Sequence, residues 1–393
     1  MKGITPMQLL KKILCSVLFF SLISSVSVMA ADKGKFSVKP VTNHGKKWRI
    51  GYFEGGEYVN YQLNFLGIVR GLMDMGWMEK TKIPEQSGEQ TAQLWQWLAE
   101  STQSRYIEFV KNAHYTGNWD TPLIEKMVPQ IISRLNNKKD IDLIIAAGTK
   151  AGLKLATNDH HVPTLVISTT DPLAAGIIKS VDDSGFDHVH ARVDPYRHER
   201  QIQLFHDIIG FNKLGIAYMD TDQGRSTAAL DSVKKVADER GFTIVPCFTT
   251  DESPDVRKDE ASVKKCFASL GKTADAIYVT TQNGVNADSI PDLVNIANKY
   301  RIPTFTQSHS EQVKYGFLMS ISRANFQYVG RFYAQTMAKI FNGANPRDIG
   351  QLFEDPPKIA INLKTAELIG YDPPVDVLTA ADEIFEEIET PKK

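Results

Sequence analysis

Several loops in this chain put small polar residues directly behind a short apolar run. Glu54-Gly55-Gly56-Glu57-Tyr58 follows one such run, and Gly148-Thr149-Lys150 another. Thr169-Thr170-Asp171-Pro172, Asp220 through Ser226, and Thr281-Gln282-Asn283 follow three more. Hydroxyl and amide side chains where a helix begins leave backbone N–H groups able to grip an anion or a polar ligand. Any one of these loops reads better as plain helix capping; as a set, converging on one place, they read as a ligand site. Nothing in the chain resembles a built catalytic device: there is no Gly-x-Ser-x-Gly elbow, phosphate loop or His-Glu-x-x-His. No Cys/His spacing matches a structural zinc site, so no metal and no cofactor is expected. His160-His161, and His188 with His190, read as loop residues.

The elements that would hold these loops alternate regularly. Trp48–Phe53 reads as a first strand, and Leu63 to Met75 carries an apolar helical face. Tyr106–Val110 reads as strand, Pro122–Leu135 as helix, Ile141–Ala146 as a buried strand, Ala151–Ala156 as helix and Pro163–Ser168 as strand. The rhythm resumes with helix Glu199–Ile209, strand Leu214–Met219 and one helix over Ser226–Arg240. Strand Thr243–Pro246, helix Val256–Leu270, strand Ala276–Thr280, helix Ile290–Tyr300 and strand Ile302–Phe305 complete it. Apolar strands between helices mean parallel sheets covered on both faces. Two such series predict an α/β fold of two doubly wound parallel-sheet lobes. Ligands of open α/β sheets bind beyond the carboxyl ends of the strands, where the polar loops lie.

Residues 1–30 read as a secretory signal: Lys2, Lys11 and Lys12 precede an apolar run, and Val28-Met29-Ala30 offers a cleavage site. The run is short for a membrane anchor, so the expected location is periplasmic. The net charge of −1 for the 393 residues becomes −4 without those three lysines, which argues against nucleic acid as a partner. Cys247 and Cys266 remain, and an oxidising compartment allows them to pair without requiring it. Residues 31–46 read as a flexible leader. Polar Glu79 to Ser104 breaks the rhythm; Gln90–Glu100 reads as an extra helix whose tryptophans pack on the core or form part of a ligand lid. Ile384, Phe385 and Ile388 carry helical spacing and predict a docked terminal helix.

Asp142-Leu-Ile-Ile-Ala-Ala-Gly-Thr149 and Pro163-Thr-Leu-Val-Ile-Ser-Thr-Thr-Asp-Pro-Leu-Ala-Ala-Gly176 resemble substrate-binding components of ABC transporters of the tryptophan/tyrosine-binding type. The likeness continues through Ala276-Ile-Tyr-Val-Thr-Thr-Gln-Asn-Gly-Val285, Gly343-Ala-Asn-Pro346 and Ala366-Glu-Leu-Ile-Gly370. The resemblance implies the type 1 periplasmic-binding fold, with two lobes joined by three crossovers and a ligand between them. Lobe I would hold 47–170 plus 323–345, and lobe II 171–322 plus 346–393. It implies a monomer that binds a small molecule, performs no catalysis and delivers its ligand to permease membrane subunits. A sensory module read by a chemoreceptor or sensor kinase would use the same closure. An exported enzyme on the same fold would need a partnered nucleophile, which is not in view.

The candidate ligand-binding residues are Glu54, Tyr58, Thr149, Thr169, Thr170, Asp171, Asp222, Arg225, Ser226, Gln282, Asn283, Glu311, Arg323 and Asn325. Tyr61 and Phe326 are further aromatic candidates. The family commonly carries two aspartates suited to an α-ammonium group, where this chain has Gln282 and Asn325. Arg225 and Arg323 stand near the same cleft. A buried ammonium without a countercharge is costly, and Arg suits a carboxylate. A small anionic or neutral solute is therefore expected.

Overall fold

The structure, a computed structural model, describes residues 31–250, 253–308, 310–322, 326–354 and 358–391. The chain begins with β1 (Trp48–Glu54), α1 (Val59–Asp74), α2 (Ala92–Ser101), β2 (Ile107–Thr116) and α3 (Thr121–Ser133). It continues with β3 (Leu143–Ala147), α4 (Gly148–Leu155), β4 (Thr164–Ile167) and β5 (Val189–Ala191). Then come α5 (Arg197–Ile209), β6 (Lys213–Met219), α6 (Asp222–Thr227), α7 (Leu230–Arg240), β7 (Thr243–Thr249), α8 (Val256–Leu270) and β8 (Ala276–Val279). They lead to α9 (Ile290–Lys299), β9 (Thr304–Thr306), α10 (Ser310–Lys314), β10 (Met319–Ser322) and α11 (Gln327–Phe341). Last are β11 (Lys358–Asn362), α12 (Leu363–Ile369), α13 (Val375–Ala380) and β12 (Ala381–Phe385).

The strands form two sheets, in the orders β2-β1-β3-β4-β5 and β12-β11-β10-β9-β8-β6-β7. Every pairing in the first is parallel. In the second, only β10 with β11 is antiparallel among the described residues. β3, Leu-Ile-Ile-Ala-Ala, is buried throughout because helices cover both faces of its sheet. Each sheet has an apolar cluster on either side, which makes two α/β lobes.

Three crossovers join the lobes. One runs from β5 to α5, one from β10 to α11, and one from the turn at Pro346–Asp348 to β11. The first and third lie side by side: Val193 N–H donates to the Gln351 carbonyl, and Phe353 N–H to that of Val193. Residues 323–325 of the middle crossover, Arg323 and Asn325 among them, lie outside the described residues, as does the expected signal, 1–30. α11 brings the chain back to the first lobe by packing on α1. Gly67 and Gly71 share a face of α1, and Gly330 of α11 lies directly against Gly67.

Several expectations are corrected. The leader is docked: Val38 and Val41 accept hydrogen bonds from the indoles of Trp77 and Trp48, and Asp32 pairs with Lys339. Apolar Phe36, Val38 and Val41 at alternate or near-alternate positions pack on the first core. The C-terminal stretch is not a helix. β12 alternates in burial and pairs with β11, whose otherwise open edge supplies partners for its backbone groups. β5 joins the first sheet, so that sheet extends past Thr170, and His190 sits within it. Ser226–Arg240 is divided in two by Ala229, whose φ of 51° is left-handed.

Candidate functional site

Polar and aromatic side chains from both lobes meet at the carboxyl ends of the two sheets. Tyr58 precedes α1 and Tyr61 lies in its first turn. Trp119 comes from the turn after β2, Thr149 and Lys150 from the start of α4, and Ser168 and Thr170 from the loop after β4. Opposite them stand Gln223 and Thr227 behind β6, and Thr281, Gln282 and Asn283 behind β8. Together they line a cavity of about 30 Å³. A water needs roughly 10–15 Å³ by this kind of measure, so an amino-acid-sized solute enters only when the lobes part. A wider groove of about 930 Å³ lies beside the cavity and shares Trp119 and Asn283 with it.

Local sequence explains the walls. Asn118 and Trp119 have φ of 49° and 58°, a left-handed pair that turns the indole back under Gly55 and Gly56. A Cβ on Gly56 would stand 2.6 Å from the indole, so glycine is required there. The indole N–H donates to the Glu57 carbonyl at 3.1 Å, and the Lys150 ammonium lies 5.5 Å above the ring. Tyr61 sits edge-on to Tyr58. Lys150 is the one charged side chain among the described lining residues.

Gln282 is held by protein groups. Its NH₂ donates to the Ala217 carbonyl and the Thr280 hydroxyl, and its carbonyl oxygen accepts from Thr249. Asn283 donates to Asp259 at 2.7 Å, which locks the loop after β8. The hydroxyl of Thr169, beside Thr170, is buried with no hydrogen-bond partner among the described residues.

Other sequence candidates do not line the cavity. Glu54 is 1% exposed and turned into the first lobe, where it accepts from the Thr91 hydroxyl at 2.8 Å. Burial pushes its carboxyl up to about 8, and the Thr91 hydrogen bond offsets part of this. Asp171 accepts from the N–H groups of Leu173 and Ala174, capping the turn that follows. Ser226 is buried and within 3.5 Å of the Asp171 carbonyl. Arg225 is tied at 2.6 Å to both Asp220 and Asp222 on the surface, so it does not serve as an anion-binding fork. Glu311 accepts from the Tyr315 hydroxyl and lines the outer groove. Phe326 is buried in the first core. Trp119 escaped the sequence reading because β2 was expected to end at Val110. It runs to Thr116, and the loop behind its true end carries the tryptophan.

Comparison with known proteins places this architecture. A family model described as ABC transporter substrate binding protein matches residues 96–385. The chain belongs to that family. The binding protein is 24% identical to a tyrosine-binding protein of Clostridioides difficile (strain R20291), over 64% of its own length and 68% of the relative's. Among solved structures it resembles an ABC domain from Streptococcus pneumonia in complex with L-Trp, at a TM-score of 0.66 and 20% identity. The match covers 86% of this chain and all of that one. A ligand-free, open substrate-binding protein with adhesive properties from Clostridium difficile matches with a TM-score of 0.57 and 22% identity, over 86% of this chain and all of that one. The family's work is to capture a solute for transport, typically outside the cytoplasm, and the binding protein's two-lobed fold suits it. Among the described residues no helix is long and apolar enough to cross a membrane.

Proposed function

We propose that this chain is the periplasmic, monomeric receptor of an ABC importer, closing on a small planar solute that carries a carboxylate. It would hand the solute unchanged to permease subunits. The observation that carries this reading is the composition of the cavity wall. Tyr58, Tyr61 and Trp119 supply aromatic surface, Lys150 supplies positive charge, and threonines and amides complete the polar lining. No carboxylate stands among the described lining residues to hold an ammonium group. Rings stack on rings in offset or edge-on geometry, and a lysine recognises a carboxylate as a point charge.

Calorimetry and thermal shift against aromatic amino acids and aromatic carboxylic acids lacking the amino group test this. The expected outcome is that an aromatic carboxylate binds and raises the melting temperature. Trp119→Ala should weaken that binding by ~10-fold or more. Tight binding of tryptophan, tyrosine or phenylalanine with the acids inert would overturn the ligand class. Failure of every solute to bind would overturn capture itself, and recovery of altered solute by mass spectrometry would overturn the absence of catalysis.

A further inference from the structure

The segment Glu79–Ser104 is built as a closed excursion from the first lobe. Its ends are pinned together: Glu79 N–H donates to the Gln103 carbonyl at 2.9 Å, and the Ser104 hydroxyl to that of Trp77. Its middle is anchored in the core. Thr91, 0% exposed, donates to Glu54 and lies 2.8 Å from Nε2 of His114. Trp95 is buried among Tyr52, Phe65 and Phe109, and its indole N–H donates to the Val110 carbonyl. Gln62 of α1 donates to the carbonyls of Gly88 and Gln90. Between these two carbonyls, Glu89 reaches the other lobe and accepts from Ala287 N–H at 3.1 Å.

Ala287 belongs to the loop that carries the cavity residues Thr281, Gln282 and Asn283. Asn286 stiffens that loop: its amide donates to Glu260 and the Asn283 carbonyl, and its oxygen accepts from Asp288 and Ser289 N–H. A pull on Ala287 is therefore felt at the cavity wall. A second contact across the lobes, Asn60 to the Ser308 hydroxyl at 3.1 Å, starts from the first turn of α1.

We propose that Glu79–Ser104 is a strap whose Glu89 carboxyl group fastens the second lobe across the cleft mouth and slows reopening. This rests on the solute-capture reading and adds a latch to it. In the closed form Glu89 is half-buried against the second lobe, and the lost hydration pushes its carboxyl up to about 7 against the hydrogen bonds from Ala287 and Val59. Glu57 and Asp288 face it and raise it further. Glu85 on the strap, Arg257 and Glu260 on α8, and Glu311 on α10 line the same groove. In the open form Glu89 meets solvent and returns toward an ordinary carboxylate value. Closing therefore takes up a proton, and the latch is strongest on the acidic side, loosening as pH rises from about 4.5 to about 7.

Hydrogen exchange of the ligand-free full chain tests the latch without knowledge of the solute. After correction for intrinsic exchange rates, protection of the Ala287 amide should fall as pH rises from 5 to 8. Glu89→Ala should lower that protection at least tenfold at pH 6 while peptides of β3 and β8 keep theirs, which shows that the variant is folded. Glu89→Gln, which retains an acceptor but does not titrate, should stay protected with no pH dependence. Wild-type protection that ignores pH, or Glu89→Ala protection equal to wild type, overturns the strap. If aromatic carboxylates bind but Glu89→Ala exchanges like wild type, the latch alone fails. If the latch behaves as stated and no solute binds, the capture reading fails instead.

Discussion

Glu54 shows how a residue at a strand's carboxyl end can serve the scaffold. Its position at the carboxyl end of β1 matches that of a ligand-contacting acid, yet its carboxyl group lies inside the lobe under the Thr91 hydroxyl. An acid whose folded-state value is raised to about 8 contributes stability that is present below about 4.5 and is lost as pH rises through 8. Glu54→Gln should remove that loss. Urea unfolding at pH 5 and pH 8.5 should show the wild type losing ~2–4 kcal/mol relative to the variant; parallel pH profiles would refute the assignment. The buried imidazoles act with the opposite slope. His114, His160 and His190 are held down to about 4 by burial, so their contribution is present above about 6.5 and is lost as pH falls toward 4. Comparing Glu54→Gln with wild type cancels the histidine slope, because the variant retains all three.

At the scale of elements, each lobe has one close contact whose loss is measurable. In the first lobe α1 and α11 approach through glycines. A Cβ on Gly330 would stand 2.3 to 2.6 Å from the backbone of Gly67, so Gly330→Ala must push the helices apart. Overpacking of this kind costs about 1–3 kcal/mol, visible as a lowered urea midpoint. An unchanged midpoint would show that α11 is not seated on α1. In the second lobe, Cys247 on edge strand β7 is bonded to Cys266 on α8, across a sequence separation of 19. A loop of that length makes the bond worth about 3 kcal/mol through the unfolded chain. The double replacement Cys247→Ser with Cys266→Ser should lose roughly that amount, and added reductant should then leave the variant's midpoint unmoved. Equal stability of variant and oxidised wild type would count against it.

In the whole molecule two sheets present their carboxyl edges to one another, and the first and third crossovers lie side by side through a single bridge at Val193 and Leu352. The alternation of apolar runs and amphipathic stretches was enough to predict parallel sheets, since a strand buried on both faces must be apolar throughout, as Leu143–Ala147 is. Polar loops at strand ends followed from the same periodicity, which is why Tyr58, Thr149, Thr170, Gln282 and Asn283 were legible as cavity residues. Local pattern had no means of reporting the groups that compete for a side chain. Asp220 and Asp222 claim Arg225, Thr91 claims Glu54, and the edge of β11 claims Ala381–Phe385. Each partner is remote in sequence or visible only once the chain has turned, and its hydrogen bonds or charge outweigh a single segment's propensity. Sequence periodicity determined which residues could face inward and which loops could face a ligand, because it records the alternation of burial. Tertiary contact alone decided that Trp119 walls the cavity and Glu89 crosses to Ala287, because those roles depend on surfaces brought together from distant parts of the chain.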